Sequence, residues 1–240
     1  MPPDLPKPLL EISGVAAGYR RMQVLWGVDL SIGERESVVL LGANGAGKTT
    51  LLRAIVGLGE VWAGRIDFAG ENITRLRTDQ RVRRGIVYMS ETSGFPGLTV
   101  EENVLIGAQF LPAGRARARI DELYAVFPAL KERRRAVASS LSGGQRKMLG
   151  IAKALAGNPR LLVMDEPSAG LSPLYVKEVM AVLAPLRQKQ LALLIAEQNV
   201  KFLELADRVY TLDNGRIGFS GTVAAMHDND ALRRAYFGLK

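Results

Sequence analysis

Gly42-Ala43-Asn44-Gly45-Ala46-Gly47-Lys48-Thr49 decides the fold of this chain. An apolar run, Val38 to Leu41, feeds straight into it, and Leu51, Leu52 and Ile55 follow at helical spacing up to Gly57. Strand, glycine-rich turn and helix in that order form a phosphate-binding loop. The glycines let successive backbone N–H groups curl toward an anion, and the helix adds the positive end of its dipole. In such a loop the lysine reaches the β- and γ-phosphates and the threonine hydroxyl faces Mg²⁺. Residues 42, 44–49 and the adjoining Thr50 are therefore the candidate nucleotide contacts.

Two further stretches carry chemistry. Leu161-Leu162-Val163-Met164-Asp165-Glu166 is a buried-type strand ending in two acids. Carboxylates there are costly unless metal or hydrogen bonds compensate them. Asp165 is the candidate Mg²⁺ holder and Glu166 the candidate base for an attacking water. Leu141-Ser142-Gly143-Gly144-Gln145 precedes Met148, Ile151, Ala152 and Leu155, which keep the spacing of a buried helix face. Ser142 stands where an N-cap stands. The two glycines would leave the helix N–H groups bare for close approach, making a second anion-binding helix end.

These three motifs, in this order, resemble the ATPase subunits of ABC transporters. The resemblance extends over about residues 9 to 220. It implies an α/β fold: a P-loop NTPase core with a mostly parallel sheet, an antiparallel β subdomain and an inserted α-helical subdomain. Residues 9–240 would form a single ATPase domain, with a core lobe at about 9–90 and 158–240, a helical lobe at about 91–157, and residues 1–8 as a proline-rich flexible arm. The chain has one P-loop and one Leu-Ser-Gly-Gly-Gln, so the family pattern implies half of a two-ATP engine. Ser142, Gly143, Gly144 and Gln145 would contact the ATP held by the opposite subunit. Tyr19, about 23 residues before the loop, sits where the family has an aromatic that stacks on adenine.

Three positions depart from the commonest family pattern. Glu91 aligns with a Gln that binds Mg²⁺ and senses the membrane subunit. Gln198, in Glu197-Gln198-Asn199, aligns with a His that contacts the γ-phosphate. Ser172 stands where many relatives have an Asp. Gln198 can donate to phosphate but supplies no imidazole chemistry. The lone histidine, His227, reads as a surface residue. With Phe95–Asn103 and the Ala231–Gly238 ending, these features resemble the LivF-type ATPases of branched-chain amino acid importers. That resemblance implies a LivG-like second ATPase (or a homodimer), two membrane permeases, indirectly a periplasmic or extracellular binding protein, and a peripheral position on the cytoplasmic face of the cell membrane. Other ABC transporters, for urea or amides or for lipid export, and a soluble ATP-gated binding module are the alternatives.

Composition narrows the partners. The chain has no cysteine, which excludes disulfides and thiolate metal sites. No run of about 18 apolar residues is present, and the start lacks the apolar core of a signal peptide. Net charge is +8, concentrated at Arg75–Arg84, Arg115–Arg119 and Lys131–Arg135. No aromatics interleave these runs as single-strand binding requires, so a solvated basic face rather than nucleic acid is expected.

The remaining expectations are structural. Strands are expected at 9–15, 24–32, 65–68, 86–89 and 191–196. Helical spacing covers 99–157, opened by a Thr99/Glu102 capping box, and recurs at 173–188, 200–206 and 231–237. A closing hairpin is expected at 208–220 around Asp213-Asn214-Gly215.

Overall fold

The computed structural model describes residues 7–90, 94–188 and 191–238. Glu91 and most of the N-terminal arm lie outside the described residues. In chain order the elements are β1 (Leu10–Tyr19), β2 (Met22–Ile32), β3 (Ser37–Leu41), α1 (Lys48–Val56), β4 (Val61–Phe68), β5 (Glu71–Asn72), α2 (Thr78–Arg83), β6 (Ile86–Met89), α3 (Val100–Gly107), α4 (Ala113–Val126), α5 (Pro128–Glu132), α6 (Gly143–Ala156), β7 (Leu161–Asp165), α7 (Pro173–Leu183), β8 (Ala192–Glu197), β9 (Arg208–Asp213), β10 (Arg216–Gly221), α8 (Val223–His227) and α9 (Asp230–Phe237). Short 3₁₀ turns follow α7 and β8.

Two sheets result. The antiparallel one runs β2-β1-β4-β5, and the larger one runs β10-β9-β3-β8-β7-β6. Within the larger sheet every pairing from β9 to β6 is parallel, and only β10 is antiparallel to its neighbour. Parallel strands need both faces covered, and every residue of β3, β7 and β8 is buried. Alternation along these strands then feeds two cores. Val39, Leu41, Leu162, Met164 and Ile195 pack with α6, α7 and Phe202. Val38, Leu40, Leu161, Val163 and Leu194 pack with α1 and the antiparallel sheet. The expected α/β fold with one parallel and one antiparallel sheet is thus observed.

Several boundaries differ from the sequence reading. β1 continues to Tyr19 through register irregularities around Gly14, and β4 begins at Val61. β5 and α2 were not expected. The helix starting at Pro173 buries Val176, Val179, Met180 and Leu183 as read. It gives way to a 3₁₀ turn over Ala184–Gln188, where Pro185 cannot donate an α-helical hydrogen bond. The helical stretch expected at 200–206 is present as a 3₁₀ helix over Val200–Leu205.

Between α5 and α6 the helical reading also breaks. Val100 and Glu101 N–H groups donate to the Ala136 and Arg134 carbonyls, so turns at 133–135 and a short bridge between Thr99 and Val137 lie against the start of α3, before a 3₁₀ turn over Ala138–Ser140. The Thr99/Glu102 capping box is present in both directions, at 3.2 and 2.7 Å. The hairpin turn places Asn214 and Gly215 at φ of 48° and 74°, the left-handed pair that a tight two-residue turn needs. His227 is exposed, with its ring 4.5 Å from that of Phe237. Among the described residues no helix is long and apolar enough to cross a membrane.

Candidate nucleotide-binding site

The site gathers at the C-terminal ends of β3 and β7, where open parallel sheets place ligands. Gly47 caps α1 at φ 108°, a conformation that favours glycine, and its carbonyl starts the helix by accepting from the Leu51 N–H. The loop is braced from outside: the Gly42 N–H donates to the Glu197 carbonyl and the Gly215 N–H to the Ala46 carbonyl.

Lys48 is 4% exposed and fully engaged. Its Nζ donates to the Gly42 and Ala43 carbonyls at 2.8 and 3.1 Å and lies 3.0 Å from Glu166 Oε1. The ammonium and the carboxylate therefore hold one another at the mouth of the loop. Glu166 has φ of 46°, the left-handed region that non-glycine residues seldom occupy.

Asp165 is 6% exposed, and both of its oxygens accept from hydroxyls. Thr49 Oγ1 donates to Oδ1 at 3.2 Å and Tyr88 OH to Oδ2 at 2.9 Å. Burial, and then the adjacent Asp165 carboxylate, push the Tyr88 pKa up, so this hydroxyl stays a donor. Thr49 and Asp165 are two hard oxygen donors side by side. That set suits Mg²⁺, which takes one or two protein oxygens and completes its shell with phosphates and water. Among the described residues no cluster of three or more Asp, Glu, His or Cys could hold a metal ion.

A cavity of about 340 Å³ is lined by Tyr19, Asn44, Lys48, Thr49, Asp165 and Glu166, with Gly45, Gly47 and Thr50 also bordering it. Tyr19, the last residue of β1, is 41% exposed, and its hydroxyl accepts from Thr50 Oγ1 at 3.1 Å. Ala46 is buried beneath the loop. Gln198 is exposed and lies one residue beyond β8, outside the residues lining this cavity.

Ser142 caps α6 as read, accepting from the Gln145 N–H at 3.2 Å, while the Gln145 side chain accepts from the Ser142 N–H at 3.0 Å. Gly143 is open. Gly144 is not: a Cβ there would stand 2.1 Å from a Tyr175 ring carbon. Its missing side chain makes room for Tyr175. Residues 142–145 do not line the cavity with Lys48; Gly143 borders a separate one with Arg146, Lys147 and Gly170.

Sequence reading overlooked three participants. Tyr88 orders Asp165, the buried Lys147 donates to the Glu166 carbonyl at 3.3 Å, and Glu197 is 2% exposed with several donors around its carboxylate. A glutamate closing a fully buried strand was the available signal for the last of these.

Comparison with known proteins agrees with this geometry. Residues 25–169 match the ABC transporter family model. The chain is 38% identical to the high-affinity branched-chain amino acid transport ATP-binding protein BraG of Pseudomonas aeruginosa, over 96% of this chain and 100% of that protein. It is 36% identical to a probable LivF of Archaeoglobus fulgidus over 93% and 96% of the two chains. It is also 35% identical to the lipopolysaccharide export system ATP-binding protein LptB of Haemophilus influenzae, over 96% and 97%. Among solved structures, the ADP conformation of an ATP-binding cassette superposes with a TM-score of 0.86, at 26% identity over 97% of this chain and 100% of that one. The chain belongs to the ABC transporter family, as an ATP-binding subunit that hydrolyses ATP.

Proposed function

We propose that this ATPase powers a branched-chain amino acid importer from the cytoplasmic face of the membrane. The observation that carries the catalytic part is the convergence of Lys48, Thr49, Asp165 and Glu166 on one cavity. Similarity to BraG and LivF supports the solute. Tyr19 would stack on the adenine. The loop amides of residues 44–47 and Lys48 would take the phosphates, which compete with Glu166 for the ammonium. Glu166, released from Lys48, would accept the proton of the attacking water as the oxygen bonds to the γ-phosphorus and the bridging P–O bond to ADP breaks. Thr49 and Asp165 would hold Mg²⁺, with Glu91 as a further ligand, and the ion would supply charge neutralisation for the phosphates.

The partner would be a second ATPase, LivG-like or another copy. Each nucleotide would lie between the loop of one chain and residues 142–145 of the other. A core lobe at 9–90 and 158–240 and a helical lobe at 91–157 would move together on closure, pulling on two permeases fed by a binding protein. Gln198 in place of an imidazole would make this chain's own site the slower of the two.

Reconstitution with the candidate permeases and second ATPase tests this reading. The expected result is an ATPase rate that rises several-fold with binding protein loaded with leucine, isoleucine or valine. A rate indifferent to those solutes but raised by lipopolysaccharide would favour the export reading that the similarity to LptB suggests.

A further inference from the structure

Glu197 is a buried carboxylate that touches three parts of the site without lining the cavity. Its Oε1 accepts from the Ser168 N–H at 2.7 Å, and its Oε2 accepts from Ser168 Oγ at 2.9 Å. The same Oε2 accepts from the N–H groups of Gln198 and Asn199, at 3.1 and 3.2 Å. Its backbone carbonyl accepts from the Gly42 N–H, the first amide of the phosphate loop. Among the described residues these partners are backbone N–H groups and a hydroxyl, which compensate the charge.

The turn that Glu197 holds is a strained one. Glu166 sits at φ 46°, its N–H donates to the Ala196 carbonyl, and its own carbonyl accepts from the Ala169 N–H. A left-handed glutamate persists only where its surroundings over-determine it. Ser168, two residues on, adds a side-chain tie between the turn and β8 to the backbone one from the Glu166 N–H.

We propose that Glu197 is a positioning residue that locks the turn bearing Glu166 to the loop bearing Gln198, so that the two keep one relative geometry. The inference rests on the assignment of Glu166 as the base. Glu197→Gln keeps the volume but places an amide N–H₂ against donors that need an acceptor. In the assembled ATPase, kcat should fall about tenfold while the KM for ATP changes by less than about threefold, because binding groups are untouched.

A double-mutant cycle gives the second readout. If Glu197 acts through the turn, Ser168→Ala added to Glu197→Gln should cost nothing more; additive losses overturn the inference. Should Glu197→Gln not fold, Ser168→Ala alone carries the test: a few-fold lower kcat at constant KM is expected, and an unchanged kcat contradicts it. Glu166→Gln is measured alongside. Full activity in that variant would contradict the catalytic assignment itself. Loss in Glu166→Gln with a parent-like kcat in Glu197→Gln would overturn this inference alone.

Discussion

The N-termini of α1 and α6 are built from the same materials and are finished differently. Each is a glycine-bearing helix start with backbone N–H groups facing outward. Around α1 the chain supplies Lys48, an adjoining buried Asp165, and Glu166 within ion-pair reach. Around α6 it supplies a self-contained cap between Ser142 and Gln145, and an open Gly143. The first end gathers the lysine, hydroxyl and carboxylates that would hold and cleave a phosphate anhydride. The second offers dipole and amides with no reacting group, which is what a surface serving another molecule's nucleotide requires.

The difference can be broken at either end. Glu166→Gln should lower the hydrolysis rate by about 10² to 10⁴, the usual contribution of a general base, while ATP still binds; a rate within tenfold of the parent in a steady-state assay would remove Glu166 from the chemistry.

The far end of α1 is equally informative. The buried Arg81 donates to the Ala54, Ile55, Leu76 and Thr74 carbonyls, and burial lowers its pKa to about 10. Arg81→Met would leave these acceptors unmatched and should cost about 3 kcal/mol in denaturant unfolding. At the start of α6 the informative change is at a glycine. Gly143→Asp there, placing negative charge against a helix end meant for phosphate, should lower the rate of the assembled ATPase about tenfold or more and leave ATP binding to the isolated chain unchanged. Weaker binding to the isolated chain would put both helix ends on one nucleotide.

Tyr88→Phe has the smallest expected effect. Losing the hydrogen bond to Asp165 should raise the Mg²⁺ concentration needed for half-maximal nucleotide binding about threefold, read by titration calorimetry.

The phosphate loop, the acidic strand end and the α6 cap were legible because each is local: residue type and spacing within a few positions define it. The alternation of strands with helices likewise pointed to a mostly parallel sheet. What escaped notice depends on contacts distant in sequence. Tyr88 meets Asp165 only once β6 pairs with β7, and Glu197 meets Ser168 only once β8 pairs with β7. The packing of Gly144 against Tyr175, on another helix, was equally hidden. The short β5 and α2 carry too few residues for a period to emerge.

The central claim is that the two helix ends serve different nucleotides, one in each subunit. The chain has no cysteine, so an introduced pair reports without background. Ser142→Cys in this chain is combined with a cysteine in the phosphate loop of the second ATPase, or with Asn44→Cys in a second copy, under mild oxidation with and without ATP. A disulfide requires Cα atoms within about 7 Å. The account predicts an ATP-dependent cross-link between subunits. A Ser142→Cys/Asn44→Cys chain that closes its disulfide internally, or no cross-link between subunits with either partner in the presence of ATP, would contradict it.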